Sequence, residues 1–63
     1  MKRKELERRI RRSGAVLVRH GSNHDWYRNP VTGAYQAVPR HREVDEQLAR
    51  KILKSLRTPS TDD

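Results

Sequence analysis

The residues best suited to chemistry stand together in the segment Gly21-Ser22-Asn23-His24-Asp25-Trp26-Tyr27-Arg28. His24 carries an imidazole, the side chain whose ordinary pKa of about 6.5 lets it accept or donate a proton near neutral pH. The small residues Gly21 and Ser22 let a ligand approach the backbone, and their N–H groups can face a phosphate. The chain has no cysteine, which excludes disulfides and thiolate chemistry. The segment therefore predicts acid–base chemistry on a negatively charged substrate.

The charge of the chain indicates which substrate to expect. The 63 residues include 15 Lys and Arg against 8 Asp and Glu, a formal net charge of +7. Much of the positive charge lies in residues 2–12, so it is not spread evenly along the chain. A basic surface attracts polyanions and speeds its encounter with them. We therefore expect RNA as the partner, with Arg8, Arg11 and Arg12 on a phosphate-binding helix.

The other polar residues are weaker candidates. His41 follows the third predicted strand and either supplies the acid of an acid–base pair or orients its loop, whereas His20 is expected to be a surface residue. The acids Asp25, Glu43, Asp45 and Glu46 could coordinate magnesium weakly. A helix cap for Asp45 and solvated charges for the other three are at least as good an interpretation. Histidines without paired spacing, in a chain without cysteine, form no recognised structural metal site. Phosphate-loop, dinucleotide and serine-nucleophile motifs do not occur, so we expect neither a metal nor a cofactor.

Two segments have the hydrophobic spacing of helices. Residues 3–13 predict a first helix, because Leu6 and Ile10 lie one turn apart on the same face. A second helix is predicted from the N-cap Asp45 to about Arg57. Its apolar stripe consists of Leu48, Ala49, Ile52, Leu53 and Leu56. Pro59 ends this helix, and residues 59–63 are predicted to be a flexible tail.

Three short runs between the helices predict strands, at residues 15–18, 24–28 and 34–38. Alternation along the second strand places His24, Trp26 and Arg28 on one face and Asp25 and Tyr27 on the other. The order α-β-β-β-α predicts an α+β fold with a three-stranded antiparallel sheet and both helices on one face. Double-stranded-RNA-binding domains share this order. The expected organisation is one domain over residues 1–58.

Three features together resemble the HicA family of toxin ribonucleases, over about residues 4–57. They are Gly-Ser-Asn-His at 21–24, Val-Pro-Arg-His at 38–41, and the leucine-rich second helix. Many members have Gly-Ser-His-His where this chain has Asn23. The resemblance implies a double-stranded-RNA-binding-like fold, cleavage of messenger RNA and pairing with a HicB antitoxin that covers the active site. It also implies that His24 is the catalytic histidine.

The resemblance implies a toxin endoribonuclease of a type II toxin–antitoxin system. RNA supplies its own nucleophile, so His24 would take the proton of a 2′-hydroxyl without any metal. Arg28 and Arg40 would stabilise the transition-state charge, and Trp26 would contact the RNA. Two alternatives are a non-catalytic double-stranded-RNA-binding module and a protein that acts only through assembly with a partner. No segment approaches the ~20 apolar residues of a membrane span, so we expect a cytoplasmic protein.

Overall fold

The computed structural model describes residues 1–57 and confirms the predicted order of elements. They are α1 (Arg3–Arg12), β1 (Val16–His20), β2 (His24–Arg28), β3 (Tyr35–Pro39) and α2 (Glu46–Leu56). The strands form an antiparallel sheet in the order β1-β2-β3, with one face against the helices and the other open. The α+β fold is therefore the expected one. The predicted tail, residues 59–63, lies outside the described residues.

The two helices begin in different ways. The Asp45 carboxylate accepts a hydrogen bond from the Leu48 N–H at 3.2 Å, which confirms the predicted N-cap of α2. Lys2 gives α1 no side-chain cap. Instead, the Arg3 N–H donates to the Arg42 carbonyl at 3.0 Å, so α1 starts on the chain that follows β3. Among residues 1–57, no helix is long and apolar enough to cross a membrane.

The core lies between the helices and the covered face of the sheet. Each helix contributes the stripe predicted for it, with Leu6 and Ile10 buried on α1. On α2 the predicted stripe is only partly covered, because Leu48 stays 42% exposed. The fully buried hydrophobic residues are Leu6, Ile10, Ala15, Tyr27, Val38, Val44, Ala49, Ile52 and Leu56. This core holds the sheet rigidly from one side and leaves the other side free for ligands.

The first strand differs from its prediction. It was expected at residues 15–18, but it begins at Val16 and continues to His20. Its register with β2 shifts between Leu17 and Arg19, a bulge that reverses the side-chain alternation. Arg19 therefore pairs with Trp26 on the open side, and His20 pairs with Asp25 on the helix side. Simple alternation would have placed them the other way round.

The second strand has the two predicted faces. Asp25 and Tyr27 are buried on the helix side, while His24 and Arg28 are exposed and Trp26 is half-buried. The expectation that Asp25 is a solvated charge is wrong, because only 3% of its surface is exposed. A buried carboxylate needs partners that replace its water. Those partners lie at the end of the sheet where β2 begins.

Candidate active site

One end of the sheet gathers most of the residues singled out from the sequence. At this end β1 finishes with His20, β2 starts with His24, and β3 finishes with Pro39, which is the cross-strand partner of His24. The turn 21–23 joins the first two strands, and Arg40 and His41 continue the third. We call this region the His24 end. Secondary structure alone therefore places two of the three histidines beside one turn and an arginine.

His24 is exposed on the open side of the sheet. Its imidazole makes no hydrogen bond or ion pair with any described residue. Its backbone is nevertheless firmly placed, since its carbonyl accepts the Gly21 N–H at 2.7 Å and its strand pairs on both sides. A held backbone with an unoccupied imidazole is what a proton acceptor for an external ligand requires.

The turn before His24 is tight, and Gly21 is needed there for space. A Cβ at residue 21 would lie 3.0 Å from the His24 carbonyl oxygen and 3.1 Å from Nε1 of Trp26. The expectation that the Gly21 N–H faces a phosphate is wrong, because this group donates to His24 within the turn. The Ser22 N–H, in contrast, makes no hydrogen bond within residues 1–57, so one backbone donor of the turn is available to a ligand.

Asp25 is the centre of a cluster of positive groups behind the turn. Its Oδ1 lies 2.8 Å from Nδ1 of His20 and 2.9 Å from Nε of Arg40, and its Oδ2 accepts a hydrogen bond from Arg3. Burial opposes the ionised form, but the hydrogen bonds from His20 and Arg40 and the charges of Arg40 and Arg3 outweigh it. The pKa of the Asp25 carboxyl is therefore lower than its ordinary value. The carboxylate stays ionised and joins α1, β1 and the chain after β3.

Arg40 connects this cluster to the turn. While its Nε donates to Asp25, its Nη2 donates to the Gly21 carbonyl at 2.6 Å and its Nη1 lies 3.4 Å from the Ser22 carbonyl. The side chain remains about one-third exposed, at 36%. Three of its five N–H groups therefore point into the protein, and the others remain available to a ligand.

Trp26 and Arg28 lie farther along the open face. Trp26 is flanked by Tyr35, with ring centroids 5.0 Å apart and planes at 17°, and by the Arg19 guanidinium at 5.5 Å. These neighbours already occupy the ring that was expected to contact RNA. Arg28 stands at the far end of β2, four residues from His24, which corresponds to about 13 Å along a strand. The two side chains therefore project from opposite ends of the strand.

The remaining predicted residues lie around this end and on α1. His41 is exposed and makes no hydrogen bond within the described residues, and nothing brings it into contact with His24. Arg8, Arg11 and Arg12 line a groove of about 470 Å³ with Lys4 and Glu7, in the helix layer rather than on the open face. A second groove of about 640 Å³ lies beside Arg40. We call it the cationic groove; it is lined by Lys2, Arg3, Lys4, Arg40, Arg42 and Glu43.

Sequence reasoning missed Asp25 and His20 as members of the site. The signal for Asp25 was its position: the same alternation that buries Tyr27 also buries Asp25. A carboxylate on a buried face demands cations, and the chain has many. His20 carried no such signal, because only the bulge in β1 turns it toward Asp25.

Of the comparisons with known proteins, the one with family models gives a match. The family described as the HicA toxin of bacterial toxin–antitoxin has a model that matches residues 3–57. The match includes both helices, all three strands and every residue of the His24 end. The comparisons with curated proteins and with solved structures give no match.

Proposed function

The chain belongs to the HicA toxin family, and from that premise we propose that it cleaves messenger RNA in the cytoplasm, with His24 as general base and no metal. Toxins of this family are generally ribonucleases that act as mRNA interferases, and each pairs with a HicB antitoxin. The observation that carries the proposal is the imidazole of His24, which has no partner among the described residues and stands on a firmly held backbone. Its cross-strand partner Pro39 directly precedes Arg40, one of the residues that line the cationic groove. That combination suits a reaction whose nucleophile arrives with the substrate.

The reaction is a transesterification in which the RNA fragment that carries the new 5′-hydroxyl is the leaving group. Neutral His24 takes the proton of a ribose 2′-hydroxyl, whose oxygen then attacks the adjacent phosphorus. The bond from phosphorus to the 5′-oxygen breaks, giving a 2′,3′-cyclic phosphate and a 5′-hydroxyl. The proton for the leaving oxygen comes from His41 or from water. Positive groups at the His24 end stabilise the extra negative charge on the phosphate.

The RNA path follows from where the positive charges lie. The scissile phosphate sits at the His24 end, within reach of the free Ser22 N–H. Arg28, about 13 Å along the strand, contacts a neighbouring phosphate instead of the one that reacts. Arg8, Arg11 and Arg12 bind more distant parts of the RNA backbone through the groove on α1.

The antitoxin inhibits by covering the His24 end and the open face. The open side of the sheet exposes apolar surface that this small domain cannot bury itself, including Val16 and Tyr35 at 50% and 46%. Acidic groups on the antitoxin would meet the basic surface and speed the encounter. Footprinting of the complex by hydrogen exchange should show protection of residues 21–28. Unchanged exchange there in a fully inhibited complex would place the antitoxin elsewhere.

The decisive experiment is RNA cleavage by the purified protein, with the product ends identified. We expect 2′,3′-cyclic phosphate products whose yield is the same with excess EDTA. His24→Ala should reduce the rate about 10²–10⁴-fold, the usual contribution of a general base. Added imidazole should restore part of the rate to His24→Ala. His41→Ala identifies the acid: a large loss of rate would assign that role to His41, and little loss would assign it to water.

Three outcomes would contradict parts of this proposal. Loss of activity in EDTA with recovery in magnesium would reject the metal-free mechanism. Full activity of a folded His24→Ala protein, judged by circular dichroism, would reject the assignment of the base. Tight RNA binding without any cleavage would favour the alternative, a non-catalytic RNA-binding module built on the same fold.

A further inference from the structure

Asp25 does more than neutralise charge, because its partners come from three separate parts of the chain. Arg3 belongs to α1, His20 to the end of β1, and Arg40 to the segment after β3. Asp25 itself immediately follows His24 in β2. One buried carboxylate thus connects the strand that carries the base to α1, to β1 and to the segment after β3. None of these partners lies on the open face beside the His24 imidazole.

Arg40 carries the effect of Asp25 to the turn. The Nε of its guanidinium donates to the Asp25 carboxylate at 2.9 Å, and its Nη2 donates to the Gly21 carbonyl at 2.6 Å. The Ser22 carbonyl lies near the third nitrogen. Among the described residues, Asp25 is the side chain that holds this planar group in the orientation that meets both carbonyls. Without the Arg40 contacts the turn would keep only the Gly21–His24 backbone bond.

We propose that Asp25 is a positioning residue for the reaction. Its carboxylate holds the Arg40 guanidinium against the carbonyls of Gly21 and Ser22, and Arg40 thereby fixes the turn that presents His24. This inference rests on the proposed function. In this inference Arg40 acts by holding the turn, in place of stabilising the charge on the reacting phosphate directly. The charge of Arg40 is shared with Asp25, and its best-aligned donors face the protein, so little of it is left for a phosphate.

A set of four variants separates the two roles of Arg40. Asp25→Asn and Arg40→Gln each break the contact between the carboxylate and the guanidinium. Arg40→Lys keeps the positive charge but loses the planar fork that spans two carbonyls. The fourth is the double variant of Asp25→Asn and Arg40→Gln. Glu46→Gln is the control, because it makes the same charge change at an exposed carboxylate away from the turn, which pairs with Arg50 on α2 and with the N-terminal ammonium.

We expect Asp25→Asn and Arg40→Gln each to lower kcat by about 10–100-fold, as misplacement of a catalytic group does. The double variant should be no slower than the worse single variant, and Arg40→Lys should resemble Arg40→Gln. Asp25→Asn makes the protein more positive, so weaker attraction of RNA cannot explain its lower kcat. For the same reason its KM should not rise. Glu46→Gln should behave as the unchanged protein.

The opposite pattern would overturn the inference. If Arg40 acts directly on the phosphate, Asp25→Asn releases its charge and keeps or raises the rate, Arg40→Lys keeps most activity, and the two losses multiply in the double variant. Should Asp25→Asn fold poorly, Arg40→Gln and Arg40→Lys at the protein surface still distinguish the two roles.

Hydrogen exchange tests the positioning without relying on activity. The Gly21 amide, which donates within the turn, should exchange at least tenfold faster in Arg40→Gln than in the unchanged protein, and Glu46→Gln should leave it unaltered. If the unchanged protein does not cleave RNA, the proposed function is rejected, but the exchange rate of the Gly21 amide in Arg40→Gln still shows whether Arg40 holds the turn. Unaltered exchange in Arg40→Gln, in a protein that does cleave RNA, would reject the positioning role alone.

Discussion

The two ends of β2 are each anchored by a buried polar side chain, yet by opposite chemistry. Among the described residues, Asp25 and Asn29 are the buried polar side chains. At the His24 end, Asp25 is charged and is bonded by Arg3, His20 and Arg40, which come from three separate parts of the chain. At the other end, which we call the Asn29 end (residues 29–34), Asn29 is neutral. Its amide donates to the Leu56 carbonyl at 2.6 Å and its side-chain oxygen accepts the Val31 N–H at 2.9 Å.

The difference explains why only one end is suited to chemistry on RNA. A neutral amide is satisfied by backbone groups, and the Asn29 turn closes on itself through the bonds from Asn29 to Ala34 and from Gly33 to Asn29. A buried carboxylate requires positive side chains, whose bodies must lie partly at the surface. Anchoring the turn with Asp25 therefore gathers arginines at the His24 end, where we propose that the phosphate of the RNA binds.

The largest difference in the rate of RNA cleavage should appear between substitutions of His24 and Arg28, the exposed side chains at the two ends of β2. His24→Ala should lower the rate of RNA cleavage about 10²–10⁴-fold because it removes the base. Arg28→Ala should cost about tenfold or less, since it contacts a neighbouring phosphate, and the loss should be in KM. Steady-state kinetics on a short RNA measures both. A loss in kcat for Arg28→Ala as large as that for His24→Ala would place Arg28 at the reacting phosphate.

The anchor of the Asn29 end should matter for stability and not for catalysis. Asn29→Ala leaves the buried Leu56 carbonyl without its donor and should lower the free energy of unfolding by about 1–3 kcal/mol. Thr32→Ala is the control in the same turn, because its hydroxyl accepts an exposed hydrogen bond from the Ala34 N–H; its effect should be within about 0.5 kcal/mol. Urea unfolding measures both values. A fall in kcat of folded Asn29→Ala protein would contradict this division of roles.

The sequence predicted the Asn29 end better than the His24 end, for a physical reason. Local signals decide the connection at residues 29–33 between the second and third predicted strands, the two faces of β2 and the Asp45 cap, and all of these were predicted. The His24 end depends on contacts between distant residues, such as that between Arg3 and Asp25. Those contacts also require the bulge in β1, and no residue near Val18 announces it. Motif resemblance identified His24, but it could not reveal what holds its turn.

The charged anchor should make the His24 end sensitive to acid. The folded protein holds Asp25 ionised with a lowered pKa, so the unfolded chain takes up the proton first as the pH falls. The stabilisation is complete above the ordinary aspartate pKa of about 3.9 and is lost as the pH falls through the lower pKa of the folded state. The free energy of unfolding should therefore drop below about pH 4.

Urea titrations at several pH values check this dependence. Glu5 and Glu46 are also lowered in pKa by arginine partners, so the comparison must isolate Asp25. Asp25→Asn should show a shallower loss of stability below pH 4 than the unchanged protein, whereas Glu46→Gln should change the slope less because Glu46 is exposed. The same acid dependence in Asp25→Asn and in the unchanged protein would remove Asp25 as its source.

The smallest effects should come from single cations at the two ends, measured through the salt dependence of RNA binding. Each phosphate contact on a single strand contributes about 0.7 to the slope of log affinity against log salt. Arg42 lines the cationic groove at the His24 end, and Arg8 lines the groove on α1. Arg57 follows Leu56, whose carbonyl accepts the hydrogen bond from Asn29, so it lies next to the Asn29 end. Arg42→Gln and Arg8→Gln should each lower the slope by about 0.7, and Arg57→Gln should leave it unchanged.

Binding has to be measured in the His24→Ala background, so that the RNA stays intact during the titration. Because all three substitutions remove one positive charge from the same net charge, a general loss of attraction would weaken the three proteins equally. A difference between Arg42→Gln and Arg57→Gln therefore reports where the RNA lies and not how basic the protein is. Equal slopes for these two variants would mean that RNA contacts both ends of the sheet alike, and the contrast between a charged and a neutral anchor would then have no consequence for binding.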